Sequence, residues 1–369
     1  HYCSFLPYPV YLDGKKINTE EPLWIKAPSG CKEEDYLNFY KHLYPMEEPP
    51  LFWIHLNVDY PFHLKGILYF PKIRRDFDAD KNTVKLYCNR VFVSDNCKDV
   101  IPSYLMALRG VIDSPDIPLN VSRSYLQMDK TVRQLSGHIS KKVADSLGSL
   151  YRNDKEKFIK SWEDISLVIK VGVLEDEKFY ERAKDFLIWP TVGKEWMTAA
   201  EYLDRFKEKT KDKIIYTKDT SHLSIFSDLY KQKGIEIVVA SHPVDPYLID
   251  FLERKIAPAS FQRLDAAIDE NLIDKEKEDT LQDAEGKTSS HKLAEFIKSK
   301  LGDDKVAVEA KSLASHHVTG FVMLDESQRR FRDYMLRMDP NNAMQTMGMF
   351  GKQTYVVNTN NSLISALEK

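Results

Sequence analysis

A long amphipathic helix is the sequence feature that most restricts how this chain can fold. From Asp129 onward, apolar residues recur every three or four positions, which is the spacing of one helix face. These residues are Val132, Leu135, Ile139, Val143, Leu147 and Leu150. The pattern therefore predicts a long helix that buries one face.

Strand-sized apolar runs and shorter helical patterns surround this helix. The predicted strands are 51–58, 64–70, 84–93, 213–217, 235–240, 305–312, 321–324 and 354–357. Further helices are predicted at 34–43, 155–170, 177–189, 223–233 and 290–301, and a capping-box pattern starts another at Thr198. The alternation predicts a multidomain fold of the α/β and α+β classes, with several layered sheets.

Length, charge and cysteine content restrict the function further. With 369 residues, the chain is long enough for two or three domains. Its apolar runs are strand-sized, whereas a membrane-spanning helix needs about 20 apolar residues. A net charge of −3 gives no support to an extended nucleic-acid-binding surface. Four cysteines without a CxxC pair fit reduced thiols. We expect a cytoplasmic protein that binds neither membranes nor nucleic acid.

The sequence contains incomplete versions of some enzyme and metal-site motifs and lacks others. Gly348 to Lys352 lacks the first glycine and the Ser or Thr of a phosphate-binding loop. Asp76, Asp78 and Asp80 lack the later Gly and Glu of a calcium loop. Neither HExxH nor GxSxG occurs, and no metal site is predicted. An active site complete within this chain therefore has no support.

The loop from Pro118 to Gln127 carries the strongest chemical signal. It runs into the long helix and places Arg123 in the first turn, next to Ser122, a candidate N-cap. Arginine is disfavoured there unless an anion joins it, because the start of a helix carries partial positive charge. With Asn120 and the free amides, these residues would make a phosphate site. The alternative is a capped helix whose surface arginine pairs with a carboxylate.

Seven short segments lie in the order and spacing of the heat-shock protein 90 family. They are Pro22-Leu-Trp24, Glu34-Asp-Tyr-Leu-Asn-Phe-Tyr40, Phe70-Pro-Lys72, Val84-Lys-Leu-Tyr87, Arg90-Val-Phe-Val93, Gly110-Val-Ile-Asp-Ser114 and Pro118-Leu-Asn-Val-Ser-Arg123. The chain most resembles the bacterial, HtpG-type branch of that family. The match is strong from Pro22 to about Ala144, looser to about Glu253, and thin beyond.

The resemblance implies a role for the loop. In that family an N-terminal domain binds ATP, with Mg expected beside it, and the middle domain supplies an arginine that contacts the terminal phosphate. Arg123 matches that arginine, while Asn120 and Gln127 match polar residues of the same catalytic loop. The ATP-binding domain is expected to be missing, so this chain alone is expected to have no ATPase activity and to bind no cofactor.

The resemblance also implies domain borders. Residues 1–21 would be the last strand of the missing ATPase domain and a short linker, residues 22–253 a layered α/β/α middle domain, and residues 254–369 a smaller α+β C-terminal domain. The middle domain would divide into a large α/β subdomain (22–147), a helical connector (148–212) and a small α/β subdomain (213–253). The terminal dimerisation helices would be absent, so a monomer is expected where the full-length protein forms a homodimer.

Unfolded or partly folded client proteins are the partners that the resemblance implies. Phe331, Met335 and Met338 match a client-binding amphipathic helix, and their spacing of four and three makes one face. Flexible Met side chains suit varied partners. A stripe of this kind can also be ordinary core. The loop from Ile73 to Phe77 is a second candidate, although it is more charged here than in the family.

Two other functions remain as alternatives. The transducer domain of a DNA topoisomerase or mismatch-repair ATPase would characteristically use a lysine loop and a basic DNA-binding surface, which Arg123 and the net charge of −3 disfavour. A self-contained α/β enzyme is disfavoured because none of the catalytic motifs considered above is complete in the sequence.

Overall fold

The computed structural model describes most of the chain. The described residues are 4–72, 83–95, 97, 100–117, 130–220, 227, 230–264, 273–274, 288–302, 306–313, 316–323, 330 and 353–367. They belong to two compact units, His1–Leu187 and Ile188–Lys369.

A short hairpin opens the first unit. Its strands, β1 (Tyr11–Leu12) and β2 (Lys15–Lys16), pair antiparallel across Asp13 and Gly14. Both turn residues have positive φ, 51° and 74°, and Asp-Gly is a favoured pair for such a turn. A 3₁₀ turn at Leu23–Ile25 follows and carries the fully buried Trp24.

A five-stranded sheet forms the centre of the first unit. Its strands are β3 (Phe52–Val58), β4 (Leu64–Phe70), β5 (Thr83–Cys88), β6 (Val91–Ser94) and β7 (Arg109–Asp113). They lie in the order β3-β4-β7-β5-β6. Neighbours pair antiparallel, except that β7 and β5 run parallel. All five residues of the central strand β7 are buried.

The predicted strand at 84–93 is wrong in one respect, because the structure has a hairpin there. Strands β5 and β6 are joined by Asn89 and Arg90, with φ values of 50° and 66°. Asn adopts this left-handed conformation more readily than most residues, but Arg does not. The turn therefore depends on contacts that the local sequence does not reveal.

The described residues of the first unit also form five α-helices. They are α1 (Glu33–Leu43), α2 (Lys130–Asn153), α3 (Lys155–Lys160), α4 (Trp162–Glu175) and α5 (Glu177–Ala183). Helix α2 confirms the predicted amphipathic helix: Val132, Leu135, Ile139, Val143 and Leu147 are all buried. The helix predicted at 177–189 is too long, because residues 188–190 form a strand and Pro190 cannot continue a helix.

In the part of the second unit that the structure describes, the strands form three small sheets. Its strands are β8 (Ile188–Pro190), β9 (Trp196–Thr198), β10 (Lys213–Thr217), β11 (Val238–Val239), β12 (Ser260–Arg263), β13 (Val306–Lys311), β14 (Gly320–Met323) and β15 (Gln353–Asn358). β8 pairs with β9, the sheet β11-β10-β12 is all parallel, and β15 lies between β13 and β14. Its helices are α6 (Ala199–Thr210), α7 (Asp245–Lys255), α8 (Ser289–Leu301) and α9 (Ser362–Leu367).

The predicted capping box at the start of α6 is confirmed. Thr198 Oγ1 accepts from the Glu201 amide at 3.2 Å, and the Glu201 carboxylate accepts from the Thr198 amide at 2.7 Å. With helices and strands alternating in both units, the predicted mixed α/β multidomain class is also confirmed.

Gly110 is the backbone position in the central sheet that least tolerates a side chain. Its φ is +130°, and a Cβ atom there would lie 1.9 Å from the carbonyl oxygen of Ile67 on the neighbouring strand. The Tyr44 hydroxyl also accepts from the Gly110 amide at 2.8 Å and donates to its carbonyl at 3.1 Å. Strands β4 and β7 can therefore approach each other only with glycine here.

We predict that Gly110→Ala lowers the free energy of unfolding by about 3 kcal/mol or more, because it combines backbone strain with steric overlap. Gly137→Ala is the control: it lies in helix α2 with no atom within 4 Å of the added Cβ. The control should be neutral or stabilised by up to about 1 kcal/mol. Urea-unfolding midpoints followed by circular dichroism measure both, and equal midpoints would contradict the prediction.

Candidate functional site

The predicted catalytic-loop residues Asn120, Arg123 and Gln127 lie outside the described residues. So do the predicted client-binding residues Phe331, Met335 and Met338, and the loop from Ile73 to Phe77. The structure describes the segments on either side of the predicted catalytic loop, and the residue directly before the predicted client-binding segment.

The segment that leads into the catalytic loop is held firmly in the protein. Central strand β7 ends at Asp113, and the next residue, Ser114, is fully buried, with its amide donating to the Tyr87 carbonyl at 3.2 Å. The Asp116 carboxylate accepts from the His63 amide at 2.7 Å. Ile117, the last described residue before the loop, is 4% exposed. The loop therefore starts from a fixed point.

Asp113 is a buried carboxylate at the end of this strand. Its Oδ2 atom accepts from the Trp24 indole nitrogen at 3.1 Å, and both of its oxygens accept from the Arg90 amide, at 3.3 and 3.1 Å. Burial raises the pKa of Asp113, while the hydrogen bonds from Trp24 and Arg90 and the charge of Arg90 partly oppose that rise. These donors compensate for part of the cost of burying the carboxylate.

The segment that leads out of the loop is helix α2, which borders a cleft of about 1020 Å³. Five cationic side chains contribute to the lining, against two carboxylates, Asp176 and Glu181. The cations are Lys130, Arg133, Lys141, Lys178 and Arg182. The loop thus reaches α2 beside a cleft with an excess of positive charge, which favours the approach of anions.

Four of these cations have no carboxylate partner within the described part of the chain: Lys130, Arg133, Lys141 and Lys178. In contrast, Arg182 donates to Asp145 at 2.7 Å. His138 adds no charge to the cleft at neutral pH, because burial and the neighbouring lysines lower its pKa. Three of the four cations without a carboxylate partner in the described residues lie on α2, and Lys178 lies on α5.

The carboxylate of Asp176, which also lines the cleft, already accepts several hydrogen bonds. It caps helix α5 by accepting from the amides of Lys178 and Phe179, at 2.9 and 3.1 Å. It also accepts from the hydroxyls of Ser140 and Tyr104, at 2.9 and 3.2 Å. Asp176 thus has a structural role, and its charge is partly satisfied by these donors.

In the second unit, Arg330 is the described residue directly before the predicted client-binding segment. Its guanidinium group donates two parallel hydrogen bonds to Glu253, at 2.8 and 2.9 Å. It donates further to Asp250 at 2.9 Å and to the Phe261 carbonyl at 3.2 Å. Paired bonds of this kind fix both position and orientation, so the start of that segment is attached to helix α7.

Sequence reasoning did not identify Trp24, Asp113 or Arg330 as parts of a site. The one available signal was Asp113 itself, a carboxylate at the end of an otherwise apolar strand. Its partner Trp24 lies 89 positions away, so the pairing becomes visible only in the folded protein.

None of the helices in the described part of the chain has the length and hydropathy of a membrane span. Within the same residues, no group of three or more His, Cys, Asp or Glu side chains is arranged to hold a metal ion.

Comparison with known proteins gives the family. The family model described as "Hsp90 protein" matches residues 9–369. The chaperone protein HtpG of Bacteroides fragilis (strain YCH46) is 38% identical over 389 aligned positions, which cover 98% of this chain and 56% of the relative. The HtpG proteins of Bacteroides thetaiotaomicron and Porphyromonas gingivalis (strain ATCC 33277) are each 39% identical, with the same coverage.

The chain spans just over half the length of these curated relatives, while almost all of it takes part in the match. The matched region includes both the loop of Arg123 and the segment after Arg330. This chain therefore belongs to the heat-shock protein 90 family.

Proposed function

We propose that this chain is the middle part, and a portion of the C-terminal part, of an ATP-dependent molecular chaperone. Family membership supports this, since the relatives are named as chaperone proteins. The chain spans 56% of their length, so a nucleotide-binding domain can lie outside the matched region. The proposed domains are residues 1–21, 22–253 and 254–369, with the borders given above.

In this proposal the loop completes the ATPase site of the N-terminal domain. Arg123 contacts the terminal phosphate, and Asn120 and Gln127 help to orient the loop. The observation that carries the proposal is the setting of the loop, which connects the buried end of strand β7 with helix α2 beside a positively charged cleft. A loop fixed at its start can hold an arginine in position before the phosphate arrives, which is what stabilisation of developing charge requires.

ATP, with Mg, would be held mainly by the N-terminal domain, and the metal would neutralise phosphate charge during hydrolysis. The described residues of this chain would contribute cations next to the loop.

We predict that Arg123→Ala in the full-length protein lowers kcat for ATP hydrolysis by about 10²- to 10³-fold, the loss typical of removing one preorganised charge-stabilising donor. ATP affinity should change little, because the nucleotide is bound by another domain. Steady-state ATPase kinetics and nucleotide titration measure the two quantities separately.

Arg152→Ala is the matched control. Arg152 lies in the last turn of helix α2 and is exposed, so its replacement should leave both kcat and ATP affinity unchanged. Unchanged kcat in Arg123→Ala, or an equal loss in both variants, would contradict the proposed role of Arg123.

The chaperone would also bind unfolded or partly folded clients through Phe331, Met335 and Met338. Their helical spacing supports one apolar face, and the flexible thioether side chains can adapt to different partners. The attachment of Arg330 to helix α7 supports a defined position for the start of this segment. We further infer a homodimer for the full-length protein and a monomer for this chain alone.

Replacing Phe331 and Met335 together by Ser should weaken the binding of a permanently unfolded model protein by about 10²-fold or more, since each buried apolar side chain is worth about 1.5–3 kcal/mol and each 1.4 kcal/mol is about tenfold in affinity. Phe296→Ser is the control, because Phe296 is 50% exposed and lies on helix α8. Fluorescence anisotropy measures binding. Equal affinities for the parent and the double variant would contradict the client-binding proposal.

The Arg330–Glu253 pair should make the stability of the second unit depend on pH. Burial alone would raise the pKa of Glu253, but hydrogen bonds from Arg330 and the Phe261 amide, with the charge of Arg330, lower it below its usual value. A carboxyl group whose pKa is lowered by folding stabilises the protein above its unfolded pKa, and this stabilisation disappears as pH falls through the folded pKa.

We therefore predict that Glu253→Gln reduces stability at pH 7 by about 1–3 kcal/mol, the value of hydrogen bonds to a charged group. The difference from the parent should shrink as pH falls below about 4.5, because the carboxyl group then binds a proton in the unfolded chain, and at lower pH in the folded chain as well. Asp250→Asn is the control, with an expected loss below about 1 kcal/mol at its exposed pair. Urea midpoints at pH 7 and pH 3.5 measure this, and a loss independent of pH would contradict it.

A further inference from the structure

We propose that Trp24 and Asp113 are positioning residues for ATP hydrolysis, because they attach the N-terminal segment (residues 4–25) to the strand that leads into the catalytic loop. This inference rests on the proposed function, since it concerns how the loop of Arg123 is oriented. It goes further by assigning a role to two residues that lie outside the loop.

The first element is the buried carboxylate of Asp113. It is the last residue of strand β7 and is 7% exposed, and it lies five positions before Pro118, where the loop begins. An ionised carboxylate in such a place must be supplied with donors. The Trp24 indole is the side chain that provides one, at 3.1 Å. Displacing Trp24 would leave that carboxylate oxygen without its side-chain donor.

The second element is the aromatic packing that holds Trp24 in place. Its ring centroid lies 4.7 Å from that of Phe5 in an edge-to-face contact, and 5.3 Å from that of Tyr87 on strand β5. Phe5 is itself 4% exposed and contacts Tyr87 with a centroid distance of 5.6 Å. Both ends of the N-terminal segment therefore insert aromatic side chains into the core of the first unit.

The third element is Arg90, which contacts both Asp113 and the N-terminal segment. Its amide donates to Asp113, while its guanidinium group donates to the Glu20 carbonyl at 3.0 Å. This double role gives a reason for arginine at a turn position with positive φ. The N-terminal segment, the β5–β6 turn and the end of β7 thus meet at one point.

Hydrogen bonds also connect the beginning of the N-terminal segment to its later residues. The Asn18 side chain accepts from the Val10 amide at 2.7 Å and donates to the Leu6 and Tyr8 carbonyls at 3.0 and 2.7 Å. The Thr19 amide donates to the Ser4 carbonyl at 2.8 Å. Asn18 and Thr19, which lie near the end of the predicted strand-and-linker region 1–21, are therefore hydrogen-bonded to residues at its beginning. A domain attached in front of this segment would have its point of attachment fixed relative to β7.

The competing explanation is that the Trp24–Asp113 contact only stabilises the fold. The second unit provides a matched pair for testing this: the Trp189 indole donates to Asp245 at 3.4 Å, and these residues are 2% and 1% exposed. Trp→Phe substitution at either position keeps an aromatic ring and removes one buried indole–carboxylate hydrogen bond. A purely structural role predicts similar consequences for both.

The test compares Trp24→Phe and Trp189→Phe in the full-length protein, with kcat and KM for ATP and urea midpoints measured for each. We expect Trp24→Phe to lower kcat by about tenfold, because a small misplacement of a catalytic group has large kinetic effects. KM should remain within about twofold. Trp189→Phe should leave kcat within about twofold of the parent, with a comparable change in the urea midpoint.

A second variant, Asp113→Asn, removes one of the two acceptor oxygens while keeping the side chain's shape. Its loss of kcat and that of Trp24→Phe should not add in the double variant, because both disrupt the same contact. Unchanged kcat in Trp24→Phe, an equal kcat loss in Trp189→Phe, or additive losses would each overturn the inference. If both Trp24→Phe and Arg123→Ala retain full kcat, the proposed function itself fails. If Arg123→Ala loses activity but Trp24→Phe does not, only the inference about Trp24 and Asp113 fails.

Discussion

A carboxylate buried at the end of the central strand determines much of how the first unit is arranged. Asp113 has lost most of its contact with water, so its charge must be compensated by donors inside the protein. One donor comes from Arg90 in the β5–β6 turn and another from Trp24 in the N-terminal segment. These two elements must therefore lie at the end of β7. The aromatic packing of Phe5, Trp24 and Tyr87 holds them there.

This arrangement has a consequence for the proposed ATPase activity. The loop that we propose to be catalytic follows a strand that contacts the N-terminal segment, and a domain in front of that segment would be attached to the same point. The geometry between the bound nucleotide and Arg123 would then depend on contacts made entirely within this chain. The positive cleft beside α2 would add a favourable field for the phosphates, and the proposed contact of Arg123 would be the specific one.

Local patterns in the sequence predicted the elements that depend on local interactions. The apolar stripe of α2 and the capping box of α6 could be recognised because their partners lie three or four positions apart. Contacts between distant residues could not be recognised in this way: Trp24 and Asp113 are 89 positions apart, and Arg330 and Glu253 are 77 apart. The β5–β6 hairpin was missed for the same reason, because Arg90 tolerates its positive φ in the presence of Asp113 and Glu20. For the catalytic loop, the resemblance to a family supplied what the pattern alone left open.

We expect the N-terminal segment and strand β7 to form one cooperative structure that opens as a unit. Hydrogen exchange followed by NMR tests this most directly, because buried groups that open together exchange with the same free energy. The Trp24 indole N–H and the amides of Ile17 and Thr19 should exchange as slowly as the amide of Val111 in β7. Exchange of the Trp24 indole at nearly the unprotected rate, while Val111 stays protected, would contradict it.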